Sequence, residues 1–274
     1  MDYQELNNGV KIPMLGLGVF RMDDEKEAYK SVRTAIELGY RHIDTAMIYE
    51  NEEPVGRAIR ESGVSRDDFF VTTKLWNDDI VKGNAQKALD TSLRKLGLDY
   101  VDLYLVHWPI KDKYVSVWKD MEKIAATDRV RAIGVSNYQE KHLKEVLNMR
   151  SLIPAVNQIE LHPYLSQQGL VEYCSKHDIK IESWSPLCAN KNDLLNEQTL
   201  KDLAEKYSKT SAQVVLRWNI ERGLIVIPKS SNPGRQEENL NIFDFALTSE
   251  DVQKINSLNK DMRVGPHPDV VGFQ

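Results

Sequence analysis

Arg41-His-Ile-Asp-Thr-Ala-Met-Ile-Tyr-Glu-Asn-Glu52 opens as a short apolar run, stops at the charged Asp44, and carries Tyr49 in the loop that follows. Two later stretches share this grammar. Phe69-Phe-Val-Thr-Thr-Lys-Leu75 reaches Lys74 at its end, and Val101-Asp-Leu-Tyr-Leu-Val-His-Trp108 reaches His107. Runs that are apolar along nearly their whole length are strands covered on both faces, the habit of a parallel sheet. Successive strands would therefore deliver a carboxylate, an ammonium and an imidazole at their C-terminal ends. In a parallel barrel that end is where chemistry gathers.

Working outward, the same unit recurs along the chain. Strands are expected at 14–20, 41–45, 69–75, 101–107, 131–136, 155–161, 179–184 and 223–228. Helical patterns lie between them. The first carries Ala28, Val32, Ala35 and Ile36 on one face and stops at Gly39, a helix C-terminal glycine. Others fall near 52–62, 114–127, 139–148 and 167–178. The clearest has Ala85, Ala88, Leu89, Ser92, Leu93 and Leu96 on one stripe. A longer helical stretch, 198–222, holds the capping-box spacing Thr210-Ser-Ala-Gln213 at an expected break, and a last helix starts at Thr248. Ahead of all this, residues 3–13 read as a hairpin turning at Asn7-Asn-Gly9. Eight strand–helix units about 30 residues apart predict an α/β fold, a (β/α)8 TIM barrel with an N-terminal β-hairpin, as one domain over 1–274. The competing architecture is an open doubly wound sheet, which usually has fewer strands.

Composition limits the functions to consider. The chain has 274 residues, enough for a large core without disulfides, and only two cysteines, Cys174 and Cys188. A formal net charge of -5 with no basic block gives no support for nucleic-acid binding. No uncharged apolar run approaches the roughly 18 residues of a membrane span, and Met1-Asp-Tyr-Gln-Glu-Leu6 does not read as a signal peptide. A cytoplasmic, monomeric protein acting on small molecules is expected.

Several familiar signals are absent. Gly16-Leu-Gly18 begins a dinucleotide fingerprint but lacks its third glycine. Gly134-Val-Ser-Asn-Tyr138 lacks the glycine that a nucleophile elbow needs after its serine. No histidine spacing suits zinc, so no metal is expected. His162-Pro163 reads as a structural turn, and His42, His142, His177 and His267 as surface residues.

The strand ends differ from these. Asp44 or Lys74 alone would be half of a structural ion pair, and His107 alone a core histidine. Together on consecutive strands, with Tyr49 beside them, they form a candidate active site. The polar ends continue around the ring with Ser136-Asn137, Gln158, Trp184-Ser185 and Lys229-Ser230. Asn and Gln can read a carboxamide through paired donors and acceptors, and Trp184 offers a flat face for a planar ring. In Lys229-Ser-Ser-Asn-Pro-Gly-Arg-Gln-Glu-Glu-Asn239, Ser231 or Asn232 can cap a short helix with Pro233 in its first turn. Such an extra helix after the last strand is a recurrent phosphate site in barrels, and Lys229 and Arg235 add positive charge.

With these residues assembled, the chain resembles the aldo-keto reductases over nearly its whole length. The resemblance rests on Gly39–Ala46 with Tyr49–Glu52, Thr72–Trp76, Asp102–Pro109, Ile133–Asn137, Asn157-Gln158, Ser185-Pro-Leu187, and Ile227–Ser230 with Arg235 and Glu238-Asn239. The short loops are similar to those of the compact microbial and protozoan members, the 2,5-diketo-gluconate, methylglyoxal and prostaglandin F synthase-type reductases. It implies a barrel that binds NADPH and reduces aldehydes and ketones. Asp44, Tyr49, Lys74 and His107 would be the catalytic four. Ser136, Asn137 and Gln158 would hold the nicotinamide amide, with Trp184 under the ring and Ser185 and Leu187 in the same set. Lys229, Ser230, Asn232 and Arg235 would take the 2′-phosphate, and Glu238 and Asn239 the adenine side. Trp184 stands where many members have tyrosine, Phe20 where many have tryptophan, Met47 where alanine is frequent, and Cys188 where a small residue or methionine is common.

By the same resemblance, Tyr49 would be the general acid. A free phenol, with a pKa of about 10, is poorly matched to neutral pH, so the Lys74 ammonium is expected to lower it while Asp44 holds Lys74. His107 would hydrogen-bond the carbonyl oxygen, and Phe20, Trp76 and Trp108 would line an apolar mouth. Loops 110–116 and 188–194, with the tail after Arg263, would shape the pocket. Two other readings compete: a Schiff-base aldolase using Lys74, and a non-enzymatic nucleotide-binding relative of the same fold.

Overall fold

A computed structural model of the chain describes residues 2–270. Strands β1 (Tyr3–Glu5) and β2 (Lys11–Pro13) form an antiparallel hairpin, with Gly9 at φ 83° in its turn. The repeating units follow: β3 (Leu17–Gly18), α1 (Glu25–Leu38), β4 (His42–Asp44), α2 (Glu52–Arg60), β5 (Phe70–Leu75), α3 (Asn77–Lys82), α4 (Ala85–Leu96) and β6 (Val101–Val106). The second half runs α5 (Tyr114–Ala125), β7 (Val130–Ser136), α6 (Glu140–Leu147), β8 (Val156–Glu160), α7 (Gln168–Lys176) and β9 (Lys180–Trp184). It ends with α8 (Gln198–Tyr207), α9 (Ser211–Glu221), β10 (Ile225–Val226), α10 (Pro233–Leu240) and α11 (Ser249–Asn256). Among the described residues, no helix is long and apolar enough to cross a membrane.

β3 to β10 make one parallel sheet in chain order, and it closes on itself. Leu15 bridges Val226 and Gly18 bridges Lys229, with Gly16 N–H donating to Val226 O at 2.8 Å. Closure explains the first strand. It was expected over 14–20, but its regular ladder covers only Leu17–Gly18, because the rest meets the last strand through isolated bridges. It also explains Gly16 and Gly18. A Cβ on Gly16 would lie 2.7 Å from the His42 ring, and one on Gly18 2.9 Å from Ile227 O. These glycines serve packing at the seam.

The α4 stripe read from the sequence is the buried face, residue for residue. Each fully buried leucine there contributes roughly 2 kcal/mol. The break at residue 210 is also present: Thr210 accepts from Gln213 N at 3.2 Å, and the Gln213 side chain reaches back to Thr210 N at 3.0 Å. The core has two parts. A large one lies between strands and helices, while a smaller one fills the barrel floor with Leu6, Ile12, Phe70, Leu103, Leu105, Val156 and Ile225. The hairpin thus plugs one end. The polar strand ends are left for the other.

Two of the four histidines assigned to the surface are buried instead. His42 points into the barrel against Phe70, and His142 closes the first turn of α6 by accepting from Gln139 N at 3.0 Å. His177 and His267 are exposed, as expected.

Candidate active site

Three consecutive strands bring the expected groups together. Asp44 ends β4, Lys74 lies near the end of β5, and His107 follows β6; all three are buried. Tyr49 reaches them from a single 3-10 turn, Met47–Tyr49. Asn51 anchors this turn. Its Oδ1 accepts from Thr45 Oγ1 at 2.8 Å, and its Nδ2 donates to Val19 O at 2.9 Å. Glu52 adds a second tie by accepting from Thr73 Oγ1 at 2.7 Å. Neither role was read from the sequence, although Tyr49-Glu-Asn-Glu52 contains both residues.

Lys74 Nζ sits 2.7 Å from Asp44 Oδ1, 2.8 Å from Thr45 O and 3.4 Å from Tyr49 Oη. Its three donors have three acceptors, so it is held as an ammonium. Burial works to lower its pKa, but Asp44 and Tyr49 outweigh that and raise it. Burial raises Asp44, opposed by Lys74 and by the hydrogen bonds from Lys74 and Gln158. Both Asp44 oxygens accept, as an ionised carboxylate's would.

Tyr49 departs from the expected lowering. Burial raises its pKa, and the pull of Lys74 in the other direction does not overcome it. His107 is pushed well below the usual imidazole range by burial and then by Lys74, so its ring is neutral. The Tyr49 and His107 rings meet edge-on at 5.7 Å between centroids. Trp76 packs edge-on against His107 at 5.1 Å, and Phe20 lies 5.0 Å from Tyr49 with 52% of its surface exposed. Trp108 stacks beside His107 at 6.4 Å but is only 8% exposed, so it offers little open surface.

The residues expected at a carboxamide also cluster. Asn137, at φ 66°, donates to His107 O at 3.0 Å and Ser136 Oγ at 3.1 Å, and accepts from Trp184 Nε1 at 2.8 Å. Its Oδ1 keeps a second lone pair. Ser136 Oγ donates to Gln158 O at 2.9 Å. Gln158 Nε2 donates to Asp44 Oδ2 at 2.8 Å and to Glu182 Oε2 at 2.6 Å, which links this cluster to the Asp44–Lys74 pair. No sequence motif singles out Glu182. Trp184, Ser185 and Leu187 are partly exposed at the end of β9 and just beyond it, and Ser185 has φ 50°. The tail crosses here: Val264 and Gly265 N–H donate to Glu160, and a Cβ on Gly265 would lie 2.5 Å from Trp184 Cη2.

The residues expected at a phosphate lie together at the start of α10. Asn232, not Ser231, caps it by accepting from Arg235 N at 3.0 Å, with Pro233 in the first turn. Ser230 Oγ accepts from Asn232 N at 3.2 Å. Lys229 and Arg235 are exposed there and make no ion pair among the described residues. Glu238 accepts from Thr210 Oγ1 at 2.7 Å, and Asn239 is buried. Among the described residues, no three His, Cys, Asp or Glu side chains gather to hold a metal ion.

The model of the Aldo/keto reductase family matches residues 14–260. A glyoxal reductase of Bacillus subtilis is 50% identical over 272 residues, covering 99% of this chain and 98% of that protein. A 9,11-endoperoxide prostaglandin H2 reductase of Trypanosoma cruzi is 49% identical, covering 96% and 94%. Among solved structures, an aldo-keto reductase from a deep-sea metagenome superposes with a TM-score of 0.95 at 44% identity, covering 98% of this chain and 99% of that one. A Bombyx mori aldo-keto reductase in complex with NADP gives 0.92 at 39% identity, covering 98% and 96%. With a family match over most of its length and relatives this close, the chain belongs to the aldo/keto reductase family and is an oxidoreductase.

Proposed function

We propose that the protein reduces aldehydes and ketones to alcohols at the expense of NADPH, with Tyr49 as the general acid. The observation that carries this is the buried ammonium of Lys74, 2.7 Å from Asp44 and 3.4 Å from the Tyr49 hydroxyl. When bound, the nicotinamide cofactor supplies a hydride to the carbonyl carbon. The chain supplies the rest. Tyr49 keeps its proton across neutral pH because burial raises its pKa. As it passes that proton to the carbonyl oxygen, negative charge grows on its own oxygen beside Lys74. The ammonium, itself fully buried, stabilises that charge. Asp44 holds Lys74 in place. Neutral His107 can donate a hydrogen bond to the same carbonyl oxygen and orient it.

The residues present fit the cofactor. Gln158 and Asn137 retain oxygen acceptors for the amide group of a nicotinamide, and the partly exposed Trp184 lies beside them. At α10, Lys229 and Arg235, which make no ion pair among the described residues, lie on a capped helix N-terminus and suit a 2′-phosphate, which favours NADPH over NADH. Phe20 and Trp76 make an apolar mouth suited to small carbonyl compounds. Glyoxal and methylglyoxal reductases among the relatives support 2-oxoaldehydes such as methylglyoxal as the first substrates to try. A Schiff-base mechanism is disfavoured, because an ammonium with all three protons donated has no lone pair for attack.

Tyr49→Phe tests the assignment. NADPH oxidation with methylglyoxal should fall by about 10²–10⁴-fold, the usual worth of a general acid, while NADPH still quenches protein fluorescence on binding. Turnover near the parent level would remove Tyr49 from this role.

A further inference from the structure

Beneath the Asp44–Lys74 pair lies a second buried acid that the mechanism above leaves unused. Glu182 sits in the middle of β9, in register with Gln158 on one side and Ile225 on the other, and none of its surface is exposed. Its Oε2 accepts from Gln158 Nε2 at 2.6 Å, while its Oε1 faces His42 Nε2 at 3.3 Å. His42 fits there only because Gly16 has no side chain. The groups around Glu182 are therefore His42 on β4, Gln158 on β8, and beyond them Asp44, Lys74 and Tyr49.

The hydrogen-bond pattern requires a proton in this pair. His42 Nδ1 lies 3.3 Å from Pro13 O, and a carbonyl only accepts, so Nδ1 carries the ring hydrogen. In the neutral ring Nε2 is then an acceptor, and it faces a carboxyl oxygen that is also an acceptor when ionised. Neither His42 Nε2 nor Glu182 Oε1 has another partner among the described residues. One proton between them turns two facing acceptors into a hydrogen bond. Its location follows from the surroundings. Burial drives the His42 ring down to about 3, and Lys74 pushes it the same way. Burial drives Glu182 up to about 8, and the Asp44 charge adds to this. The proton belongs to Glu182.

We propose that Glu182 is a positioning residue that works as a neutral acid, donating to His42 and fixing the Gln158 amide with its nitrogen toward the two carboxyl groups. Both Gln158 N–H bonds are then occupied, by Asp44 and Glu182, and its oxygen becomes a pure acceptor for the cofactor's amide. Asp44 is left as the one full negative charge in the cluster, balancing Lys74. An ionised Glu182 would compete for Lys74 and hold the Tyr49 proton more tightly.

The Gln158 part rests on the reductase reading, but the protonation state does not, and the test keeps them apart. At pH 7 the infrared spectrum of the parent should contain the C=O stretch of a protonated carboxyl group that disappears in Glu182→Gln. Glu182→Leu, which leaves one Gln158 N–H buried and unpaired, should weaken NADPH binding by about tenfold and lower kcat. Glu182→Gln can accept from Gln158 and donate to His42, so it should restore binding to within about threefold of the parent. Absence of the infrared band, NADPH binding by Glu182→Leu as tight as the parent's, or a Glu182→Gln as weak as the leucine variant would each overturn the proposal. If Glu182→Leu does not fold, the band and the binding of Glu182→Gln decide it. Should the parent fail to oxidise NADPH with any carbonyl, the reductase reading falls while the infrared result still reports on Glu182.

Discussion

Two strand carboxylates, both completely or almost completely buried, have opposite fates in this barrel. Asp102 lies at the start of β6, where its oxygens accept from Arg66 at 2.7 Å, Val71 N at 2.9 Å and Arg131 at 2.9 Å. Both arginines run out to solvent, with 20% and 45% of their side chains exposed. Asp44, at the far end of β4, pairs with a lysine that has no exposure at all, and that lysine faces a phenol. Arg66 and Arg131 hold Asp102 with fixed, fork-shaped donors that keep their charge. A lysine is a compact point charge whose donors can be shared with a group that changes its own charge during a reaction. On the function proposed above, the buried acid that takes part in chemistry is the one whose partner is enclosed with it and touches a titratable phenol.

This contrast can be broken by mutation. The largest effect belongs to the enclosed cation: Lys74→Met should lower kcat/KM by about 10²–10⁴-fold with the fold retained in circular dichroism. Equal turnover would make the upper pair as structural as the lower one. Next come the cations that make no ion pair among the described residues. Lys229→Ala combined with Arg235→Ala should raise the NADPH KM by about 10²-fold, through loss of charge-assisted bonds to a phosphate, and change the NADH KM by less than about threefold. Equal losses for both cofactors would move the phosphate elsewhere. At the lower pair, Asp102→Asn should cost about 2 kcal/mol in urea unfolding, moderated by the solvent exposure of both arginines, with kcat/KM unchanged at 25 °C. A fall in turnover without a fall in stability would merge the two regions.

The smallest effect is a drift with pH. Between pH 4.5, the ordinary glutamate value, and about 8, the folded chain keeps a Glu182 proton that the unfolded chain has released. Stability from this group is complete below that window and is lost as pH rises through it. Glutamine has no proton to keep. The melting temperature of Glu182→Gln relative to the parent should therefore climb by a few degrees from pH 5 to pH 8. A difference that stays flat would place Glu182 among ordinary carboxylates.

The upper groups were legible because each is a polar residue that ends an apolar run, and strand ends need no tertiary knowledge to locate. Gly39, Thr210 and Thr248 were legible as caps for a similar reason: capping is local. Glu182 was hidden. Lys180 and Glu182 alternate with isoleucines, the pattern of a solvated strand face, and only closure of the barrel sets that face against His42. His42 and His142 follow Arg41 and Lys141, so each reads as part of a charged surface until packing turns it inward. The helix α3 was missed because six residues are too few to display a periodic face. Tyr49 was placed correctly in a loop, but burial proved stronger than the nearby ammonium, a balance that depends on depth and not on order along the chain.

The hairpin that stops the barrel floor has a consequence for timing. Asn8 Nδ2 donates to Arg131 O, Asn7 Nδ2 to Pro154 O and Asp178 O, and Gln4 Nε2 to Gly223 O, across 123 to 219 residues of chain. The hairpin thus depends on acceptors that lie 123 to 219 residues away along the chain. Such long-range closure is slow to form, because the entropy of a large loop must be lost before any contact repays it. Leu6 and Ile12 take their place in the smaller core only when those distant segments meet the hairpin.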